Sequence, residues 1–501
     1  LSADNHVNTF AHTFFNPRSQ GVNIEDWLVG QVLHTHLCNT LSMNGSLYTM
    51  LKGSQTFNKK QVGDFFWGIN EDDVNGNILT FGPSEPDNND VKIFSRNLFL
   101  NDDYRGTIKA EPSASDFTLA IHLYLGLDEW VPGLHFRIDI PINYTVWSMS
   151  LTETVDFIGT SIAANKLGNT TAAAAPNASA IQALNGQLLD TTDFPALQEK
   201  MNYARVNGKQ KMTHVADITF LLGYDFLCNE CGHFGINFQV VAPTGNVPEG
   251  RYVFEPIVGN GHHVAVGGGF SGRWELWNNG CDQSFSAWIE GAAYHLFNTK
   301  QKRTFDLKAN GPLSRYLLLK KFDANGEYAN EIVFGPNVLT RELKTNNDVQ
   351  GEGILIFDYQ HGGFTFDVGY TIWGRSKDNI TITDPIVGNT YGVQGNTSTQ
   401  EFDPSTNTTQ SLSTVNGTFA PGDANGDGGD LVFITTDDLD INSASHPGAF
   451  AHKLLAHFAY TWENCDYLPF LGLGGDIEFS GRGNRAFDRW AVWVKGGFTF
   501  A

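Results

Sequence analysis

The sequence predicts an all-β fold, a closed antiparallel barrel of about twelve strands, within a range of twelve to fourteen. Three observations carry that expectation. Apolar and polar residues alternate over stretches twice the usual strand length, the stretches come in tandem pairs, and their connections alternate between very short and very long. The clearest stretch is "LHFRIDIPINYTV" (134–146), where Leu134, Phe136, Ile138, Ile140, Ile142, Tyr144 and Val146 alternate with His135, Arg137, Asp139, Pro141, Asn143 and Thr145. Strand side chains alternate between two faces, so this segment has one greasy face and one wet face. About 5–6 residues would be usual for a strand.

The other elements follow in chain order. Residues 46–57 are a candidate first strand. "FTLAIHLYLGL" (117–127) alternates from Phe117 to Leu127 and runs through a short Pro-Gly turn into 134–146, which makes a hairpin. A second hairpin pairs 214–227 with 234–245, and a third pairs 263–277 with 284–297. The fourth pairs 353–360 with 364–374 around "HGG", and the fifth pairs 451–462 with 467–481. The chain ends on "RWAVWVKGGFTFA", with Trp490, Val492, Val494, Gly496, Phe498 and Phe500 on one face. Segments 92–100 and 315–322 are further strand candidates. Short connections (128–133, 228–233, 278–283, 361–363, 463–466) alternate with long ones (58–115, 148–212, 244–262, 298–350, 376–450). Both termini then fall at the short-turn end.

The 501 residues carry 54 acidic against 32 basic side chains, a net charge of −22. Nucleic-acid binding, which needs a basic footprint, is therefore not expected. No run of 18 apolar residues marks a membrane helix. The chain starts at Leu1 with no charged-then-apolar leader, which reads as a mature exported product. Five cysteines are too few for a disulfide scaffold of this size. Cys228, Cys231, Cys281 and Cys465 fall in short turns and Cys38 in the N-terminal segment. Free or partly paired thiols without a catalytic role are expected, with a Cys228–Cys231 bridge as the alternative.

A sheet crosses lipid only when closed, because lipid offers the backbone no hydrogen-bond partners. Each strand then needs about 9–11 residues, apolar outward and polar inward. With these strands and the terminal aromatic one, the chain resembles a bacterial outer-membrane β-barrel, specifically a porin-like channel. That family's assembly signal ends in an aromatic residue. Here Val494, Phe498 and Phe500 would supply it, with Ala501 after the aromatic. A soluble β-sandwich would show the same alternation, but strand length and loop rhythm weigh against it. The resemblance implies an N-terminal periplasmic or plug-like segment (1–45) and an outer-membrane barrel (46–501). It also implies contact with outer-membrane lipid and lipopolysaccharide, and a homo-oligomer, often a trimer.

Inward positions would line a hydrated pore: Lys52, Arg137, Asp139, Arg273, Glu275, Asp358, Asp367, Lys453, Asp476 and Lys495, with mixed charge orienting polar solutes. Tyr144, Trp274, Trp277, Trp373, Trp462 and Trp490 would form interfacial girdles. Pro141 removes a ladder hydrogen bond, so a bulge or local widening is expected there. Segment 193–206 reads as a helix with Asp193 as N-cap and Pro195 in the first turn. It would either narrow the barrel, form an external lid or make a subunit contact. In "PGDANGDGGD" (421–430), Asp423, Asn425, Asp427 and Asp430 match the start of a calcium loop. The twelfth position is Ile434 rather than a glutamate, so Ca²⁺ and a plain solvated turn both remain open.

No catalytic pattern is present: no His-x-Ser, G-x-S-x-G, H-E-x-x-H or P-loop. No catalytic residue and no required cofactor are expected. The expected function is a passive outer-membrane porin for small hydrophilic solutes or ions. Two alternatives stand beside it. One is a fatty-acid-type channel for hydrophobic substrates, plugged by residues 1–45, in which Phe10, Phe14 and Phe15 are conspicuous. The other is a structural or adhesive surface barrel.

Overall fold

Alternating inward and outward side chains build a single closed wall. The computed structural model describes residues 11–29 (17 and 22 excepted), 44–67, 76–83, 93–394 and 433–500. Within these, 163–166, 168–170, 188–191, 198, 207, 230, 326–327, 466 and 482–485 are also excepted. Twelve strands form the barrel: β1 (Gly45–Thr56), β2 (Ser113–Gly126), β3 (Leu134–Ser148), β4 (Ile218–Asn229), β5 (Gly232–Ala242) and β6 (Ala265–Asn278). They continue with β7 (Gln283–Thr304), β8 (Thr340–His361), β9 (Phe364–Arg375), β10 (Ala449–Thr461), β11 (Phe470–Ser480) and β12 (Arg489–Phe500). Each strand pairs antiparallel with the next, and β1 closes on β12 from Gly45↔Phe500 to Thr56↔Arg489. The fold is an up-and-down meander without an edge.

The outward face carries Leu222, Phe238, Leu355, Phe366, Leu454 and Leu473, each roughly half exposed, and the inward face is buried. A soluble barrel has the reverse arrangement. An apolar exterior around a buried polar interior identifies a bacterial outer-membrane barrel, with the short turns at the periplasmic end. In the β2–β3 turn Gly133 sits at φ +91°, and a Cβ there would stand 2.3 Å from the Asp225 carbonyl oxygen, so only glycine fits.

Several local expectations are corrected. Pro141 causes no register shift against β2. Instead its other neighbour breaks: a short strand, Lys209–Val215, pairs with Ile142–Ser148, and β4 pairs with Leu134–Asp139. The Ala216 N–H donates to the Pro141 carbonyl in the gap. Trp373 is buried and points inward, one residue out of phase with the outward Ile372 and therefore outside any girdle. Segments 92–100 and 315–322 contribute Ile93–Phe94 and Leu318–Phe322 to small sheets outside the barrel. Both β7 and β8 run 22 residues, so the long connection between them starts after Thr304. Cys228 is disulfide-bonded while Cys231, Cys281 and Cys465 are free thiols, so no Cys228–Cys231 bridge exists.

The long connections form a packed layer over the extracellular mouth. Its core includes Phe65, Phe66 and Trp67 of the helix Lys59–Trp67, with Phe99, Trp147, Phe254 and Phe487. The described residues of 193–206 lie here and form no helix. Their backbone bonds to neighbouring chain instead: Ile332 N–H to the Ala196 carbonyl, Ala204 N–H to Gly250 and Val253 N–H to Arg205. Tertiary pairing overrides the local helical pattern. The helix in this region is Ala180–Leu184, whose Ser179 cap accepts from the Gln182 N–H. The calcium-like motif (Asp423, Asn425, Asp427, Asp430) lies outside the described residues.

Two outcomes test this architecture. Leu355→Arg, near mid-wall on the lipid face, should cost about 2–4 kcal/mol of stability, read by denaturant titration of the protein refolded into vesicles. The second concerns His263, in the connection before β6, with its ring Nδ1 2.8 Å from the Phe297 carbonyl oxygen. Burial pushes its pKa down to about 4, opposed by the hydrogen bond to the Phe297 carbonyl and by the Asp378 carboxylate and reinforced by Arg375 and Arg303. The unfolded chain takes up a proton near pH 6.5 that the folded chain refuses. Stability is therefore present above about 6.5 and lost as pH falls toward 4. Burial likewise depresses His446, while it raises Glu255 to about 7, and that carboxyl acts in the opposite direction. His263→Gln should flatten the acid limb of thermal stability between pH 7 and 4. An unchanged limb would remove His263 as a contributor.

Candidate functional site

The lumen is filled by the chain's own N-terminal segment. Residues 11–16 sit beneath the extracellular layer. There the Thr13 N–H donates to the Ser443 carbonyl at 2.9 Å and its hydroxyl donates to the Thr304 carbonyl at 2.6 Å. The Arg303 guanidinium lies 3.4 Å from the Phe14 ring centroid, and Phe15 contacts Phe65, Trp147, Phe254 and Phe487. From there the segment descends. Ser19 donates to Asp217 at 2.8 Å, and Gly21 passes so close to the wall that a Cβ would stand 2.8 Å from the Asp217 carbonyl oxygen.

A one-turn helix, Ile24–Leu28, crosses the middle of the lumen. Ile24, Leu28 and Val29 pack with Met50, Trp288, Tyr294, Ile354, Leu455 and Trp493. Its first turn is acidic and meets the wall through charges. Arg18 pairs with Glu25 at 3.1 Å, with Glu352, and with Glu478 at 3.6 Å. Lys453 pairs with Glu25, and Lys52 reaches Asp26 at 2.8 Å, Asp476 at 3.5 Å and Glu25 at 3.5 Å. Arg489 extends the set through Glu478 at 2.7 Å and Asp116 at 3.7 Å. The Ile24 N–H donates to Glu352 at 2.5 Å, as expected for a carboxylate at a helix N-terminus. On the other side Trp27 donates to Glu290 at 3.0 Å, its ring faces Arg137 at 3.8 Å, and Lys495 donates to the Trp27 and Val29 carbonyls at 3.0 and 2.5 Å.

The ten inward residues expected from the sequence all fall on the lumen side, but they do not line open water. Lys52, Asp139, Arg137, Lys453, Asp476 and Lys495 gather around the N-terminal segment. Arg137 Nε donates to Asp139 at 2.9 Å, and Asp139 holds His122 at 2.7 Å. Asp358, Asp367 and Arg273 lie nearer the periplasmic end: Asp358 and Asp367 are direct cross-strand partners, His457 is 3.2 Å from Asp367, and Arg273 donates to Ser286 at 2.8 Å. Glu275 accepts from Asn278 at the rim. Asp358, Lys453, His457 and Lys495 are each no more than 1% exposed. The cavity beside the plug helix, lined by His122, Arg137, Asp139 and Trp27, holds about 20 Å³, roughly room for one water. The reading of His135, Arg137 and Asp139 as water-lining is therefore corrected: Arg137 faces Trp27 of the N-terminal segment, while Asp139 is held by Arg137 and His122 and His135 faces Asp225 across the wall.

Sequence reasoning missed Arg18, Glu25, Asp26, Trp27, Glu290, Glu352 and Glu478. Glu478 shares the parity of Asp476 and was within reach. Glu352 fell just before the expected start of its strand at 353. Arg18, Glu25 and Asp26 belong to no alternating pattern. Phe14 and Phe15 pack at the mouth rather than in the lumen, and Phe10 lies outside the described residues.

Removing one member of a buried charge set leaves its partners unpaired, at a cost of about 3–5 kcal/mol. Arg18→Leu should therefore loosen the segment with the barrel intact, exposing residues 18–29 to added protease in detergent. Protection equal to the unaltered protein would show that Phe14 and Phe15 alone hold it.

No protein-family model and no curated protein matches the sequence. Among solved structures, an outer membrane channel from Pseudomonas putida F1 is similar over 91% of this chain and 96% of its own, at 8% identity and a TM-score of 0.34. The Pseudomonas putida toluene transporter TodX covers 100% and 99% at 6% identity and TM-score 0.32. The β domain of the Bordetella autotransporter BrkA covers 92% and 100% at 7% identity and TM-score 0.27. These are distant likenesses of architecture alone, and the closed twelve-strand wall with its apolar exterior is what identifies the chain as a bacterial outer-membrane β-barrel.

Proposed function

We propose that this barrel is a plugged channel for small apolar or amphipathic molecules, opened by displacement of residues 11–29, and that it works as a passive conduit without catalysis. One observation carries the reading: the path that a diffusion porin would keep filled with water is occupied by protein, leaving space for about one water beside the plug helix. The apolar cluster around Ile24, Leu28, Trp288, Ile354 and Trp493 supports an apolar cargo. The filled lumen favours this reading over a general porin for hydrophilic solutes or ions. The packed extracellular layer favours, as a second reading, a surface barrel whose lumen is a closed core.

The test pairs conductance with uptake. In planar bilayers the intact protein should give no stable open steps, and a variant lacking residues 11–29 should give them. In proteoliposomes the intact protein should speed entry of an aromatic hydrocarbon but not of a sugar of similar size. Steady openings from intact protein would restore the porin reading. A closed bilayer record together with no uptake of either probe would leave the surface barrel.

A further inference from the structure

We propose that the outward wall of β6 to β9 is a binding groove for a phosphorylated, acylated glycolipid of the outer leaflet, the lipopolysaccharide class. Elsewhere the lipid-facing belt carries Phe, Leu and Tyr. Here two adjacent cross-strand rows carry almost no side chain: Gly291 and Gly353 stand between Phe270 and Ile372, and Gly268, Ala293, Gly351 and Gly374 run alongside, ending at Phe450. The result is an apolar trough of about 500 Å³ sunk into the wall. In the bilayer an acyl chain is the molecule available to fill it.

A second feature on the same face says which lipid. Seven residues beyond Ala293 and Gly351, roughly 20 Å along the strands, Lys300 on β7 stands directly opposite Lys344 on β8. Both are exposed, and among the described residues neither has an ion-pair partner. Like charges opposite one another in a sheet repel. In a chain of net charge −22 such a pair is a local positive spot that an anion between the ammonium groups would relieve. The nearest carboxylates are ion-paired elsewhere, Glu342 with Lys302 at 3.6 Å and Glu249 with Arg251 at 2.5 Å, while Asp348, four residues along from Lys344, accepts from Asn379 at 2.9 Å. Charge complementarity therefore points to phosphate at the headgroup level and apolar chain below it. The lysines lie toward the extracellular end of both strands, so the occupant comes from the outer leaflet. This inference concerns the outside of the wall and stands independently of what the lumen conducts.

The test is native mass spectrometry of the purified full chain in mild detergent, titrated with lipid A and, separately, with phosphatidylcholine. Two double variants complete it. Gly353→Leu/Gly374→Leu fills the trough at positions where an added Cβ meets nothing nearer than 3.5 Å, and Lys300→Glu/Lys344→Glu reverses the charge at exposed sites. Retained heat-modifiable migration on gels shows that each variant is folded. Lipid A should bind the unaltered chain in preference to phosphatidylcholine. The charge variant should lower that affinity more than about tenfold, and the filled trough should lower it as well. Equal binding of the two lipids, or lipid A affinity unchanged in the charge variant, would overturn the proposal. So would a dimer of the chain that the filled trough abolishes, because the occupant would then be a second copy.

Discussion

Hydrogen bonds that the surroundings cannot supply govern the whole molecule. Within lipid every backbone N–H and C=O must find its partner in the sheet, so the sheet must close, and the β1–β12 pairing is the bond that closes it. Closure fixes the alternation of side chains along all twelve strands. Alternation in turn places one set of residues in lipid and the other in a narrow interior. A twelve-strand interior is too wide for wall side chains alone to fill. The charges that point into it therefore need either water or a second piece of protein.

In this chain the second piece is residues 11–29, and the match is electrostatic at least as much as apolar. The helix Ile24–Leu28 brings Glu25 and Asp26 to Lys453 and Lys52, while Arg18 answers Glu352 and Glu478. Burying such charges gains little net stability over an apolar core of the same shape. What the arrangement does supply is position, since a shift of one residue along the lumen would leave several of these groups facing the wrong sign. Phe14 and Phe15, wedged among aromatic residues at the mouth, add the apolar hold that does not depend on register.

Legibility in the sequence followed the strength of the periodic constraint. Leu134–Ser148 was readable because lipid on one side and charge on the other enforce a strict period of two over 15 residues. For the same reason the strand number and the end bearing the short turns were readable. The upper reaches of β7 and β8 were not, because above the hydrocarbon layer their outward positions turn polar, as at Lys300 and Lys344, and the alternation fades. Segment 193–206 carried a genuine helical pattern that pairing with Ile332, Gly250 and Arg251 overruled. The plug was invisible for a different reason: Arg18, Glu25 and Asp26 owe their role to partners hundreds of residues away, and no local pattern records that.

Residue 11 lies at the extracellular layer and Gly45 at the periplasmic end, so the closed ring encircles its own N-terminal segment. That geometry bears on the order of biogenesis. If the seam zipped first, Phe14, Phe15 and Arg18 would have to be drawn afterwards through an interior already crowded with side chains. An open, curling sheet can instead lay the segment in its hollow, pair the charges and then join first strand to last. The favourable route makes the seam the final event, and the N-terminal segment the core on which the barrel is wound.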